Sequence, residues 1–184
     1  MGVSKQSIVT AALEILDSYG LADLSMRRIG EALGVQAATI YWYYANKQSL
    51  LAGVSDRILA AQASSTAGPL AAALTAWAED LRGVLLRHRD AAELVAATLA
   101  VGLGERVPDE TAVEILRAAG WDESAARAAA RAITHFVLGH VMQEQTRHNL
   151  LELGVLAAPV VAVDQAGFDI GLQMVVAGAQ VSRP

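Results

Sequence analysis

The chain has 184 residues, of which 54% are hydrophobic and 18% charged, with a net charge of −5. This balance excludes a disordered chain, and the absence of cysteine excludes disulfides and thiolate chemistry. Charge supplies no basic footprint for a nucleic-acid partner, since residues 1–50 carry four bases against four acids and the excess acid lies beyond them.

Abundant alanine with few aromatics favours packed helices over sheets. Ser4 can cap a first helix whose apolar face is Ile8, Ala12, Ile15, Leu16 and Tyr19, and Gly20 stops it. Ser25 caps a second, short helix that is expected to bury Ile29, Ala32 and Leu33 and to end at Gly34. A third short helix follows over about 37–43, with Ile40 and Tyr44 turned inward. Two short helices around a tight glycine turn have the shape of a helix-turn-helix. After Asn46 and Lys47 a longer helix is expected to run to about Ser64, and 64–68 before Pro69 is the natural break. Further helices are predicted near 70–88, 91–101, 109–119, 122–149 and 165–181. The fold class is therefore all-α, with a three-helix head over 1–47 and a helical domain over 48–184, of which 48–66 forms a connecting helix. The longest apolar stretches, 94–104 and 155–163, are too short to span a bilayer, so a soluble cytoplasmic protein without a membrane partner is expected.

The segment 8–51 resembles the DNA-binding domain of the TetR family. The residues that carry the likeness are Ala11-Ala12, Leu16, Gly20-Leu21, the run Leu24-Ser25-Met26-Arg27-Arg28-Ile29 and Leu33-Gly34-Val35. The run Thr39-Ile40-Tyr41-Trp42-Tyr43-Tyr44 continues it, ahead of Asn46-Lys47 and Leu50-Leu51. Beyond the head, Leu85-Leu86-Arg87-His88-Arg89-Asp90, His135-Phe136-Val137-Leu138-Gly139 and Ala166-Gly167-Phe168 resemble the tetracycline-repressor branch. The resemblance implies a repressor that binds double-stranded operator DNA as a homodimer and releases it when a small-molecule effector binds.

Bases in a major groove are read by side chains near the start of the inserted helix. The outward face of the third helix comprises Ala37, Ala38, Tyr41 and Trp42. The resemblance further implies that Arg27 reads a base or its phosphate, and that Thr39, Tyr41, Trp42 and Tyr43 touch backbone or thymine methyls. Lys47 should pair with a phosphate at the head of the fourth helix. Ala37 and Ala38 stand where relatives carry polar readers, so direct readout leans on Arg27.

The effector site departs from the branch. Val95 stands where a metal-binding histidine is expected and Gln143 where an acid is, and a hard cation needs oxygen or imidazole ligands. No metal or cofactor is therefore expected. A largely apolar or aromatic effector near Trp77 and Leu81 is implied, with polar contacts from Thr98, His135 or Gln143. Trp77 would serve equally well as a packing residue, and His88, His135 and His140 as structural histidines. His140 and Glu144 have the spacing of two metal ligands but lack a third.

The helices at 122–149 and 165–181 are expected to form the dimer interface. Ala125, Ala128, Ala129, Ala132, Gly139, Gly171, Ala177 and Gly178 permit close approach, and Leu138, Met142, Leu172, Met174 and Val175 supply apolar contact. The cover between these helices, around 154–164, looks shortened against the branch. No nucleophile elbow, zinc-protease motif or phosphate loop points to an enzyme, and Gly102-Leu103-Gly104 reads as a linker. The competing reading is a helical ligand-binding or protein-interaction module without DNA binding, motivated by the neutral head and the Ala37-Ala38 pair.

Overall fold

In a computed structural model of the chain, residues 2–63, 66–157 and 165–181 are described. Among them are nine α-helices and no strand. They fall into two compact units, one of Met1–Ala61 with Leu85–Arg106 and one of Gln62–Val84 with Val107–Pro184. These units are defined by packing and divide the chain otherwise than the expected split by role at residue 47.

The first unit begins with α1, Lys5–Tyr19, whose Ser4 cap and Ser7 bond reciprocally before the helix closes at Gly20. A single 3₁₀ turn, Leu21–Asp23, leads to α2, Met26–Leu33, which Ser25 caps by accepting from Arg28 N at 3.2 Å. Next come α3, Ala37–Tyr41, and α4, Lys47–Leu59, where Asn46 Oδ1 caps Ser49 N at 2.8 Å. The chain returns to this unit with α6, Ala91–Val101, which packs on α4. Ile8, Leu16, Leu24, Ile29, Ile40, Leu50, Val54 and Leu94 are buried at its centre. Asp56 on α4 fastens the strand of chain after α6, accepting from Arg106 N at 2.8 Å and Glu105 N at 3.1 Å. Asp90 accepts from Leu21 N at 2.9 Å, and His88 lies 3.1 Å from the Asp17 carboxylate.

The second unit contains α5, Leu70–Leu86, up to Val84, then α7, Glu110–Ala118, α8, Glu123–Glu152, and α9, Gln165–Val181. Leu74, Leu81, Leu116, Ala130, Val137, Val141, Phe168 and Leu172 fill its core. Trp77 is buried there, and its indole Nε1 donates to the Pro108 carbonyl at 3.1 Å. Arg82 grips both oxygens of Glu144, at 2.7 and 3.2 Å, and lies over the Phe168 ring.

Several details differ from the sequence reading. The fourth helix ends at Leu59 rather than near Ser64, which lies outside the described residues. In α2 the buried residues are Met26, Ile29 and Gly30, while Ala32 is exposed and Leu33 half-buried. Tyr19 is exposed and not on the packed face, because the Arg28 guanidinium takes its ring at 3.8 Å. Tyr44 is half-buried, and Leu138 and Leu172 are buried within the single chain. Most of the cover at 154–164 lies outside the described residues.

Candidate nucleic-acid interface

The turn between α2 and α3 is built on two glycines. Gly34 ends α2 in the left-handed region at φ 68°, which suits a residue without a Cβ. Val35 N then donates to Gly30 O at 2.8 Å, which draws the turn back over α2. A Cβ at Gly30 would stand 2.8 Å from Val35 O, 3.2 Å from Ala37 N and 3.3 Å from the Gln36 carbonyl carbon. A side chain there would therefore push the turn off α2.

This turn launches α3 with one side committed. Ile40 is fully buried, so rotation about the helix axis is fixed. The other side is bare: Ala38 is exposed, Tyr41 is 52% exposed and Trp42 is 88% exposed. Gln36, just before α3, is also exposed, and its side chain makes no capping bond. Ala37 and Thr39 are half-buried at the flanks. Tyr43 is half-buried, and its hydroxyl donates to Val3 O at 2.8 Å, tying down the start of the chain. Lys47 is the half-buried first residue of α4.

Arg27 and Arg28 are distinguished by their partners. Arg27 is exposed and makes a solvated contact to Glu31 at 3.5 Å. Arg28 is engaged by Asp23 and by the Tyr19 ring. Burial, with Asp56 and Glu105 nearby, pushes the Tyr44 hydroxyl above its ordinary pKa, so it stays neutral.

A protruding short helix after a locked turn is the geometry of a groove-reading head, and sequence comparison decides the family. The profile described as bacterial regulatory proteins, tetR family, matches residues 8–54. The profile of the tetracyclin repressor-like C-terminal domain matches 64–165. The chain belongs to the TetR family. This TetR-family chain is 32% identical over 157 residues to the class D tetracycline repressor protein of Escherichia coli, covering 78% of this chain and 67% of that one. BioQ of Mycobacterium smegmatis superposes with a TM-score of 0.89 at 36% identity, covering 98% of this chain and 99% of that one. BioQ with its natural double-stranded DNA operator superposes at 0.81, with 35% identity and coverage of 98% and 99%. A TetR variant from Acinetobacter baumannii in complex with minocycline gives 0.80 at 28% identity, covering 100% of this chain and 99% of that one.

The residues proposed from sequence for an effector are distributed unevenly in this TetR-family fold. Trp77, Leu81, His135 and Gln143 belong to the second unit, while Thr98 belongs to the first. Trp77 and Leu81 are buried, whereas His135 and Gln143 are exposed in the single chain. Thr98 is buried and spends its hydroxyl on Leu94 O at 2.9 Å. Among the described residues no group of three or more His, Asp or Glu side chains could hold a metal ion. Glu144 is occupied by Arg82, so the His140–Glu144 spacing carries no such pair. No helix among the described residues is long and apolar enough to cross a membrane.

Sequence reasoning passed over two features of the head. The Tyr43–Val3 bond joins positions 40 residues apart, which no local pattern signals. Gln36 was overshadowed by the alanines beside it, although an exposed amide ahead of the third helix is visible in the sequence.

Proposed function

We propose that this chain is a cytoplasmic transcriptional repressor that binds a palindromic operator as a homodimer and lets go when an effector occupies its second unit. One observation carries the DNA reading: Trp42 stands 88% exposed one residue beyond a helix whose inner face is pinned by Ile40. A small domain gains nothing in water from an unpartnered indole, whereas a duplex offers sugar, phosphate and thymine methyl groups to contact it. Arg27, exposed on α2, and Lys47, at the head of α4, supply phosphate contacts. The DNA-bound structure of BioQ, a relative of the same fold, supports the reading.

Homodimerisation is supported by the surface of α8 and α9. Ala128, Ala132, Gly139, Ala177 and Gly178 are exposed there beside Met174 and Ile170, which are 71% and 63% exposed. A groove of about 350 Å³ runs along Trp121, Ala125, Ala129, Ile133, Val175 and Ala179. Two copies would bury this apolar surface, and an operator read by both heads would carry half-sites about 34–36 Å apart, one DNA turn.

The effector is a small, largely apolar or aromatic molecule that meets Trp77 and Leu81, with His135 or Gln143 as polar contacts. The minocycline complex of a relative supports a ligand-responsive domain in this family without naming the ligand here. Thr98 contributes least, because its hydroxyl already has an acceptor.

The test is fluorescence anisotropy with duplexes tiling the DNA that flanks the encoding gene, at two salt concentrations. A specific, salt-sensitive complex is expected with the wild-type chain, and Trp42→Ala should weaken it while keeping its helical circular dichroism. A wild-type chain that retains no duplex, or a Trp42→Ala chain that binds as well, would overturn the proposal.

A further inference from the structure

We propose that Gln36 is an adenine reader of this head, its side-chain amide forming paired hydrogen bonds to the N6 and N7 edge of an adenine in each half-site. The inference rests on the DNA-binding reading above and names the chemistry that this reading left open.

Reading adenine by paired hydrogen bonds requires a side chain that presents a donor and an acceptor together, whereas the exposed Arg27, which only donates, suits guanine. Along the protruding face, Ala37 and Ala38 present neither, and the Trp42 indole only donates. Tyr43 has spent its hydroxyl on Val3 O, and Thr39 is half-buried. Arg28 is taken by Asp23 and Tyr19. Tyr41 is exposed but carries a single hydroxyl, which cannot make two bonds to one base edge in a plane. Gln36 remains, exposed and with a carboxamide that no protein group engages among the described residues.

The geometry of its main chain supplies an independent reason. Gln36 O accepts from Thr39 N at 2.9 Å, which fixes the residue to α3. The missing side chain at Gly30 lets the Gln36 carbonyl carbon settle against α2, where a Cβ would be only 3.3 Å away. The backbone is thus clamped on two sides while the amide projects unbonded. A long side chain on a fixed pivot is the arrangement that bidentate recognition requires, because the two hydrogen bonds must form in one plane. Adenine matches the amide, donating from N6 and accepting at N7.

The experiment selects duplexes from a random pool with the full-length wild-type chain and with Gln36→Ala, followed by affinity measurements on duplexes carrying 7-deazaadenine. That base keeps the exocyclic amine and lacks the N7 acceptor. One adenine in each half-site should be strongly selected by the wild-type chain and relaxed in the variant. At that position 7-deazaadenine should weaken the wild-type complex about 10-fold and the Gln36→Ala complex by less than about twofold, with the same salt slope for both. Gln36→Glu, which only accepts, should move the preference from adenine towards cytosine, whose N4 donates. Identical selected sequences from wild type and Gln36→Ala, or an equal 7-deazaadenine penalty in both, would overturn the assignment and leave DNA binding intact. A wild-type chain that selects no duplex would overturn both.

Discussion

Replacing Gly30 by alanine adds one methyl group, and its effect can be worked out from the turn it would enter. In the interior of a helix such as α2 the exchange ordinarily stabilises by about 0.5–1 kcal/mol, because glycine loses more backbone freedom on folding. Here the new Cβ would lie 2.8 Å from Val35 O and 3.2 Å from Ala37 N, both backbone atoms of the turn. Such a contact can be relieved only by lifting the turn off α2, which also lengthens the Val35 N to Gly30 O bond now at 2.8 Å. Overpacking of this kind costs about 1–3 kcal/mol, so the steric loss outweighs the entropic gain by up to about 2.5 kcal/mol. For a chain of this size that is a fall in Tm of up to about 10 °C. Gly83 supplies the internal control: it lies within α5, and a Cβ there would meet nothing within 4 Å. Gly83→Ala should therefore raise stability by about 0.5–1 kcal/mol. Thermal unfolding followed by circular dichroism compares the two variants, and DNA binding well below Tm reports on the turn itself. Gly30→Ala should weaken binding even where it is fully folded, because the turn sets the direction of α3. A Gly30→Ala chain as stable as Gly83→Ala, with unaltered affinity for DNA, would refute the reasoning.

Trp77→Phe removes the donor to the buried Pro108 carbonyl and should cost about 1–3 kcal/mol in the second unit, measured by urea unfolding, with no change in DNA affinity at low denaturant. Tyr44 has its pKa raised in the folded chain by burial, then by Asp56 and Glu105, so folding favours its neutral form. Its contribution is fully present below the ordinary tyrosine value and is lost as pH rises through the folded value; tyrosinate absorbance should show a late-titrating component that Tyr44→Phe removes. Ala132→Arg places a charge on the exposed stripe of α8 and should convert a dimer into a monomer in light scattering, with unchanged helical content.

The helices were legible because their ends are chemically marked. Ser4, Ser25 and Asn46 cap α1, α2 and α4 through side-chain oxygens, and Gly20, Gly34 and Gly102 end α1, α2 and α6. The end of α4 was overrun because Ala60, Ala61, Gln62 and Ala63 form helices readily, and nothing local says stop. The burial of α2 was misassigned by pattern because the returning turn covers Gly30, whereas a periodic apolar face had suggested Ala32. Tyr19 was placed inward on spacing alone, while a stacked guanidinium holds its ring at the surface. For the candidate site, sequence supplied the outward aromatics but not the pivot under Gln36, which depends on a backbone approach across the turn. His135 and Gln143 show a further limit: helical period identifies a face, yet cannot tell whether solvent, a ligand or a second chain covers it.

The neutrality of the head makes a quantitative demand on how it holds DNA. Of the four cations in residues 1–50, Arg28 is committed to Asp23 and Tyr19, which leaves Lys5, Arg27 and Lys47 to meet phosphates. The contact of Arg27 with Glu31 is exposed and readily exchanged. Three cations on each of two heads neutralise about six phosphates, so log K should fall with log salt at a slope of about −5. Lys47→Ala, lost from both heads, should reduce that slope by about 2, whereas Trp42→Ala and Gln36→Ala should lower affinity at unchanged slope. Anisotropy titrations from 50 to 300 mM salt measure all four proteins on one duplex. A slope near −10 would mean that cations beyond residue 50 reach the duplex, and the assignment of binding to the head alone would then fail. With so few charges available, the affinity must come from uncharged contacts at the aromatic face and from engaging two half-sites at once, which raises the effective concentration of the second head once the first is seated.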